Sequence, residues 1–237
     1  MTPSTARVGD GRHVAPTRVM VFYDGDYFRK GQVYFRYKER RGWMNLVVMH
    51  RLIEAYVASQ SGTPPDLTRV VAAQHYDGRA PSKLVGPERL DKERDFELAL
   101  IRAGITPYYL ELTEAPVQAS ETEDQGCQLI QKGLDVQIAI DVLDYAHQNR
   151  FDVAVLIAGD ADFVPLVRRI TSLGKQTLVA YFTFEGWTDA RGAFHNPSYA
   201  ARSLLEAASW SLNFNQLVVD SAWQDAVADL FLAPRES

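Results

Sequence analysis

The sequence predicts an α/β fold in which a parallel sheet is covered by helices on both faces. Two observations carry that prediction. Strand-length apolar runs alternate with runs of helical spacing. The runs at residues 152–157 and 176–182 are almost wholly apolar, as in strands buried on both sides. A third observation sets the size: 237 residues, 46% of them hydrophobic, suffice for one large domain or two small ones with a full core.

Taken in order, residues 1–17 are polar, contain Pro3, Gly9, Gly11 and Pro16, and lack an apolar block. They read as a flexible leader and not a signal peptide. A single domain is expected over residues 18–218, with a helix and tail over 219–237 packing on or extending it. Residues 18–23 form a β-rich run that ends in the turn signal Asp24-Gly25. Residues 46–56 have helical spacing, 59–65 a loop composition, and 67–74 a strand pattern. A helix over 92–103 closes at Gly104, and a third strand follows over 105–110. Residues 111–126 hold five acids and no basic residue, and read as a solvated loop. A helix over 133–147, a buried strand over 152–157, a turn at 159–162, a helix over 163–173 and a buried strand over 176–182 complete the core pattern. Residues 183–198 read as an ordered surface loop. Helices are expected around 200–208 and 221–231.

Composition excludes several functions. With 25 basic and 30 acidic residues the net charge is −5, which excludes a globally basic nucleic-acid wrapper but not a nuclease whose acids hold metal. The single cysteine, Cys127, excludes an intramolecular disulfide and suits a reducing cytoplasm. The longest apolar runs are strand length, short of the ~20 residues a membrane span needs.

Two strands run into carboxylates: the first into Asp24-Gly25-Asp26, the one over 152–157 into Gly159-Asp160-Ala161-Asp162. Ligands of open parallel sheets bind beyond the carboxyl ends of the strands. If the two strands are neighbours, up to four carboxylates gather there, and clustered hard oxygens suit Mg²⁺ or Mn²⁺. Taken singly, an Asp at such a position is more often a helix cap or turn residue. Asp135 shares a helix face with Ile138, Ala139 and Val142, which points it at the core or a cleft floor, whereas Asp141 and Asp144 fall on the solvated side.

Residues 29–41 carry Arg29, Lys30, Arg36, Lys38, Arg40 and Arg41, interleaved with Tyr34, Phe35 and Tyr37 and followed by Trp43. Such a stretch can neutralise phosphates and stack on unpaired bases; equally, it is a solvated helix end with its aromatics packed inward. His75, Tyr76 and Arg79 follow the second strand and should reach the same edge, with His75 a phosphate contact or a structural histidine. Trp187 and Trp210 either serve an interface or pack inside.

These residues resemble the NYN domain, in particular its LabA-like bacterial group, within the PIN-like nuclease superfamily. The resemblance is carried by residues 21–28, by Lys132-Gly133-Leu134-Asp135-Val136 and by residues 155–166 with Leu173-Gly174-Lys175. It implies a three-layer α/β/α sandwich with a central, mainly parallel, PIN-like sheet, and a divalent-metal-dependent ribonuclease using Mg²⁺ or Mn²⁺. Asp24, Asp135, Asp160 and Asp162 match the acidic metal-binding and catalytic cluster. Asp26, Tyr27, Arg29, Lys30, Arg36, His75, Arg79 and Lys132 are the expected nucleic-acid contacts. Single-stranded RNA is the expected partner, a homodimer a possible assembly, and the cytoplasm the expected compartment. Tyr27 stands where many relatives have Asn, and Ala158 and Ala161 where Ser or Thr is frequent.

Those departures support a rival: an RNA- or protein-binding regulatory module with weak or no turnover. A haloacid-dehalogenase-type phosphatase fits Asp24-Gly25-Asp26 but leaves Asp135 without a role. A nucleotide-binding Rossmann enzyme lacks the Gly-x-Gly-x-x-Gly after the first strand.

Overall fold

The computed structural model describes residues 15–81, 83, 85–116, 127–130 and 133–232. The chain opens with β1 (Thr17–Asp24), α1 (Gly25–Val33), β2 (Trp43–Met44) and α2 (Leu46–Ser61). Next come β3 (Thr68–Arg79), α3 (Pro87–Arg102), β4 (Ile105–Glu111), β5 (Thr113–Pro116) and β6 (Cys127–Ile130). α4 (Leu134–His147), β7 (Val153–Ile157), α5 (Val164–Ser172) and β8 (Gln176–Tyr181) follow. The last part holds β9 (Trp187–Thr188), β10 (Phe194–His195), α6 (Arg202–Ala207), β11 (Trp210–Asn213), α7 (Phe214–Leu217), α8 (Gln224–Val227) and β12 (Phe231–Leu232).

Six strands form the central sheet in the order β11-β8-β7-β1-β3-β4, and every neighbouring pair is parallel. β1 sits inside, between β3 and β7, so successive side chains face opposite layers. Val19, Val21 and Tyr23 join Phe28, Phe35, Met49 and Ile53 from α1, the turn after it and α2. Met20 and Phe22 join Ile138, Val142, Leu166, Val167 and Leu204 from α4, α5 and α6. Each fully buried apolar side chain stabilises this arrangement by roughly 1.5–3 kcal/mol. The α/β/α sandwich is thus the product of a run that is apolar at every position, not at every second one. Arg18 ties the start of β1 to the start of β7 through a two-pronged bond to Asp152, at 3.0 and 2.9 Å.

Several elements differ from the sequence reading. Residues 113–116 of the acidic stretch form β5, paired antiparallel with β6, while 117–126 lie outside the described residues. Acidic composition reports solvation of side chains, not whether a backbone finds a partner. The expected helix over 221–231 is a 3₁₀ turn (Ser221–Trp223), the single-turn α8 and then β12. Tertiary pairing overrides the helical pattern there: β12 pairs with β2, and the Phe231 ring packs 5.1 Å from that of Phe35. The parallel edge strand β11 was not foreseen, because four residues give too short a pattern. Trp187 is buried and Trp210 half-buried, so both pack inside.

Candidate active site

Asp24 is the last residue of β1 and the N-cap of α1; its Oδ1 accepts from the Tyr27 N–H at 3.2 Å. Asp160 caps the turn after β7 in the same way, with Oδ1 accepting from the Asp162 N–H at 2.9 Å. Capping and a site role are therefore compatible: each cap uses one oxygen, and among the described residues the second accepts no protein hydrogen bond. β1 and β7 are neighbours, with Tyr23 opposite Ile157, so both carboxylates stand at one sheet edge.

Gly25 and Gly159 permit the close packing at that edge. A Cβ on Gly25 would lie 2.5 Å from the Tyr76 carbonyl oxygen and 2.8 Å from the His75 ring. A Cβ on Gly159 would lie 2.5 Å from the Tyr199 carbonyl oxygen and 2.5 Å from the Tyr27 ring. Both contacts are shorter than any real Cβ makes, so α1 can seat on β3, and the β7 turn against Tyr27, with glycine alone.

Asp135 lies in the first turn of α4 and is exposed, while its stripe mates Ile138 and Val142 are buried. Its charge is felt at Asp24. Burial pushes the Asp24 carboxyl up to about 6, and repulsion from Asp135 and Asp26 adds to the shift. Asp135 is raised in turn by burial and by repulsion from Asp160 and Asp162. The four carboxylates thus share one electrostatic field. Among the described residues, no three carboxylate, imidazole or thiol groups already surround one point at ligand distance. Asp162, exposed beside the capping Asp160, can change rotamer. The donor set, hard oxygens held in mutual repulsion, has the chemistry of a Mg²⁺ or Mn²⁺ site.

The expected nucleic-acid contacts divide. Arg29 is clamped by Asp26 at 2.7 Å and Asp77 at 2.9 Å, and Lys30 pairs with Asp26 at 2.7 Å; both cations remain half-exposed. Asp26 is thereby an organiser of cations, its carboxyl lowered by those two partners against the effect of its burial. Arg79 bonds Glu97 at 2.6 Å and lies 3.6 Å over the Tyr109 ring. The Arg36 guanidinium rests on Trp43 at 4.8 Å. Tyr34 stacks on Phe184 at 4.1 Å and Phe35 is buried, so those aromatics pack inward. Lys132 lies outside the described residues.

Three readings need correction. His75 is 1% exposed, so its ring does not reach the edge to meet a phosphate; burial holds its pKa down at about 4. Tyr27 is buried, and its hydroxyl donates to the Phe182 carbonyl at 3.2 Å and accepts from the Phe182 N–H at 3.0 Å. It braces β8 against α1 in place of touching ligand. Tyr27→Phe is expected to destabilise the fold by about 1–3 kcal/mol, because it strands two buried backbone groups; chemical denaturation measures this. Asp141 is not simply solvated: it accepts from Tyr76 at 2.9 Å and Gln137 at 2.8 Å.

Residues the sequence reading did not single out are Asp77, which clamps Arg29, and Phe194 and His195 of the β9–β10 pair. Phe194 is 67% exposed there, and His195 stacks on Trp187 at 4.2 Å. The aromatic and glycine richness of residues 183–198 was the available signal.

Comparison with solved structures gives a protein of unknown function from Vibrio parahaemolyticus, 20% identical with a TM-score of 0.49, covering 84% of this chain and 93% of that one. MurG of Acinetobacter baumannii is 12% identical with a TM-score of 0.33, covering 87% of this chain and 50% of that one. No curated protein matches. The NYN domain model matches residues 18–196, and on that match the chain belongs to the NYN domain family, whose fold is that of PIN-like nucleases.

Proposed function

We propose that this protein is a divalent-metal-dependent ribonuclease of the LabA-like group, hydrolysing phosphodiester bonds of single-stranded RNA. The observation that carries the reading is that Asp24 and Asp160 stand at the ends of the neighbouring strands β1 and β7 at one sheet edge, with the Asp24 carboxyl raised there by burial and by the field of Asp135. Four carboxylates repel a phosphate unless a cation joins them, which supports a metal at this edge. Asp24, Asp135 and Asp160 would hold Mg²⁺ or Mn²⁺, with Asp162 as a further ligand or as the group that orients the attacking water. When bound, the metal lowers the pKa of water and stabilises charge on the leaving oxygen. The chain's own part is positional. The caps of Asp24 and Asp160 fix the two carboxylates on rigid strand ends, and Arg29 and Lys30 supply cationic groups between one and two turns along α1. A 5′-phosphate and a 3′-hydroxyl are the expected products.

This reading takes the cytoplasm as the compartment, and a homodimer is an assembly that light scattering would detect. Among the described residues no helix is long and apolar enough to cross a membrane. The binding-module alternative rests on Ala158 and Ala161, which offer no hydroxyl at the β7 turn. Incubation of purified protein with labelled single-stranded RNA and Mn²⁺, beside Asp160→Asn, separates the two. Cleavage that needs the metal and falls by about a hundredfold or more in the variant is expected. Equal cleavage by both proteins would remove Asp160 from the site, and retention of RNA without cleavage would favour the binding module.

A further inference from the structure

A cavity of about 290 Å³ opens between α1 and the β9–β10 pair, lined by Arg29, Lys30, Trp187, Phe194, His195 and Asn196 among others. That volume is at the lower edge for a ligand site, room for one base or nucleotide and not for an extended molecule. Its walls are braced. Asp189 accepts from the Arg191 and Ala193 N–H groups at 2.9 Å each, and meets His195 at 3.2 Å. His195 in turn lies flat on Trp187, with ring planes 13° apart.

Phe194 rests against the backbone of Gly186, where a Cβ would fall 2.7 Å from the ring. The ring nevertheless keeps 67% of its surface exposed. A large aromatic held against backbone on one side and left open on the other is a stacking platform. The cations on this side of the cavity are Arg29, held by Asp26 and Asp77, and Lys30, whose exposed pairing with the same Asp26 is weak enough to exchange for a phosphate. Lys30 lies six residues beyond the Asp24 cap, about 9 Å along the helix.

We infer that this cavity is a subsite for one nucleotide of single-stranded RNA flanking the bond to be cut. The base lies on Phe194, Asn196 meets its edge, and Lys30 with Arg29 takes its phosphate. The inference rests on the ribonuclease reading. It differs from the basic–aromatic stretch expected from sequence, because the stacking surface comes from the β9–β10 pair and not from the aromatics between residues 34 and 43.

The test is fluorescence anisotropy of a labelled single-stranded RNA on the full chain, in the Asp160→Asn background with Mn²⁺ and again in EDTA. Phe194→Ala is expected to weaken binding about tenfold. Lys30→Gln is expected to weaken it less and to lower the salt dependence by about one phosphate contact. A set of RNAs with one abasic position moved along the strand supplies the second arm. One position should cost about tenfold on the parent protein and nothing further on Phe194→Ala, the signature of a direct pair. The exposed ring makes a folding defect in Phe194→Ala unexpected, and an unchanged melting curve checks that. RNA bound equally by parent, Phe194→Ala and Lys30→Gln would overturn the subsite and leave the ribonuclease reading standing. No RNA bound by the parent in either condition would overturn that reading itself.

Discussion

Purified Asp24→Asn protein is expected to cut RNA about a hundredfold or more slowly than wild type and yet to unfold at a higher temperature. The two effects share one cause. Burial lifts the Asp24 carboxyl from its ordinary 3.8 to about 6, so its ionised form costs folding free energy at neutral pH. For an acid with a raised native pKa, that cost is absent below about pH 4, where the group is protonated folded and unfolded. It grows as pH rises and is complete above about pH 6. A shift of this size corresponds to about 3 kcal/mol at most. With the residual solvent contact of Asp24 discounted, about 2 kcal/mol is expected. In a chain of this length that raises Tm by roughly 4–8 °C at pH 7, with the advantage vanishing towards pH 4. Asn retains the cap on the Tyr27 N–H, since Asn and Asp cap equally well. Calorimetry of both proteins at the two pH values measures it, and a lower Tm for Asp24→Asn at pH 7 would show the carboxylate to be structural. Added Mn²⁺ should raise the Tm of wild type and leave that of Asp24→Asn where it was.

Gly159→Ala is expected to be the most damaging single-methyl change at this edge, costing about 3 kcal/mol or more. The added carbon would meet the Tyr199 carbonyl oxygen and the Tyr27 ring, both at 2.5 Å. Neither can retreat. The Tyr27 hydroxyl is held by both backbone groups of Phe182. The segment carrying Tyr199 is held by the Ala201 N–H donating to the Gly159 carbonyl at 2.8 Å. The midpoint of urea unfolding should fall with little change in slope. A midpoint within experimental error of wild type would mean that the turn can shift as a unit.

The sheet and its carboxylates were legible because they rest on local signals. Residues apolar at every position mark strands buried on both faces, and an Asp followed by Gly at the end of such a run marks a strand-to-helix turn. The edge placement of Asp24 and Asp160 followed from one assumption, that β1 and β7 are neighbours. What escaped depends on contacts far apart in sequence. Nothing near His75 announces that α1 will cover it, since that cover arises where Gly25 seats on β3. Tyr27 read as a ligand contact because its partner, the Phe182 backbone, is 155 residues away. β11 and β12 owe their strand state to β8 and β2, and a window of two to four residues holds no period to read. Asp141 sits on the polar side of its helix, yet the long reach of Tyr76 across the layer gives it a partner.

The position of β1 also orders events during synthesis. It is made before both of its sheet neighbours, β3 and β7, which follow at very different times. β3 emerges soon after, whereas the ribosome must pass Ile157 before the second edge of β1 can be paired. At about 5–20 residues per second, that interval is on the order of ten seconds. Throughout it the nascent chain presents an apolar strand with one open edge, the form most prone to pair with another chain. Truncation anywhere before β7 should therefore yield a chain that needs a chaperone to remain in solution.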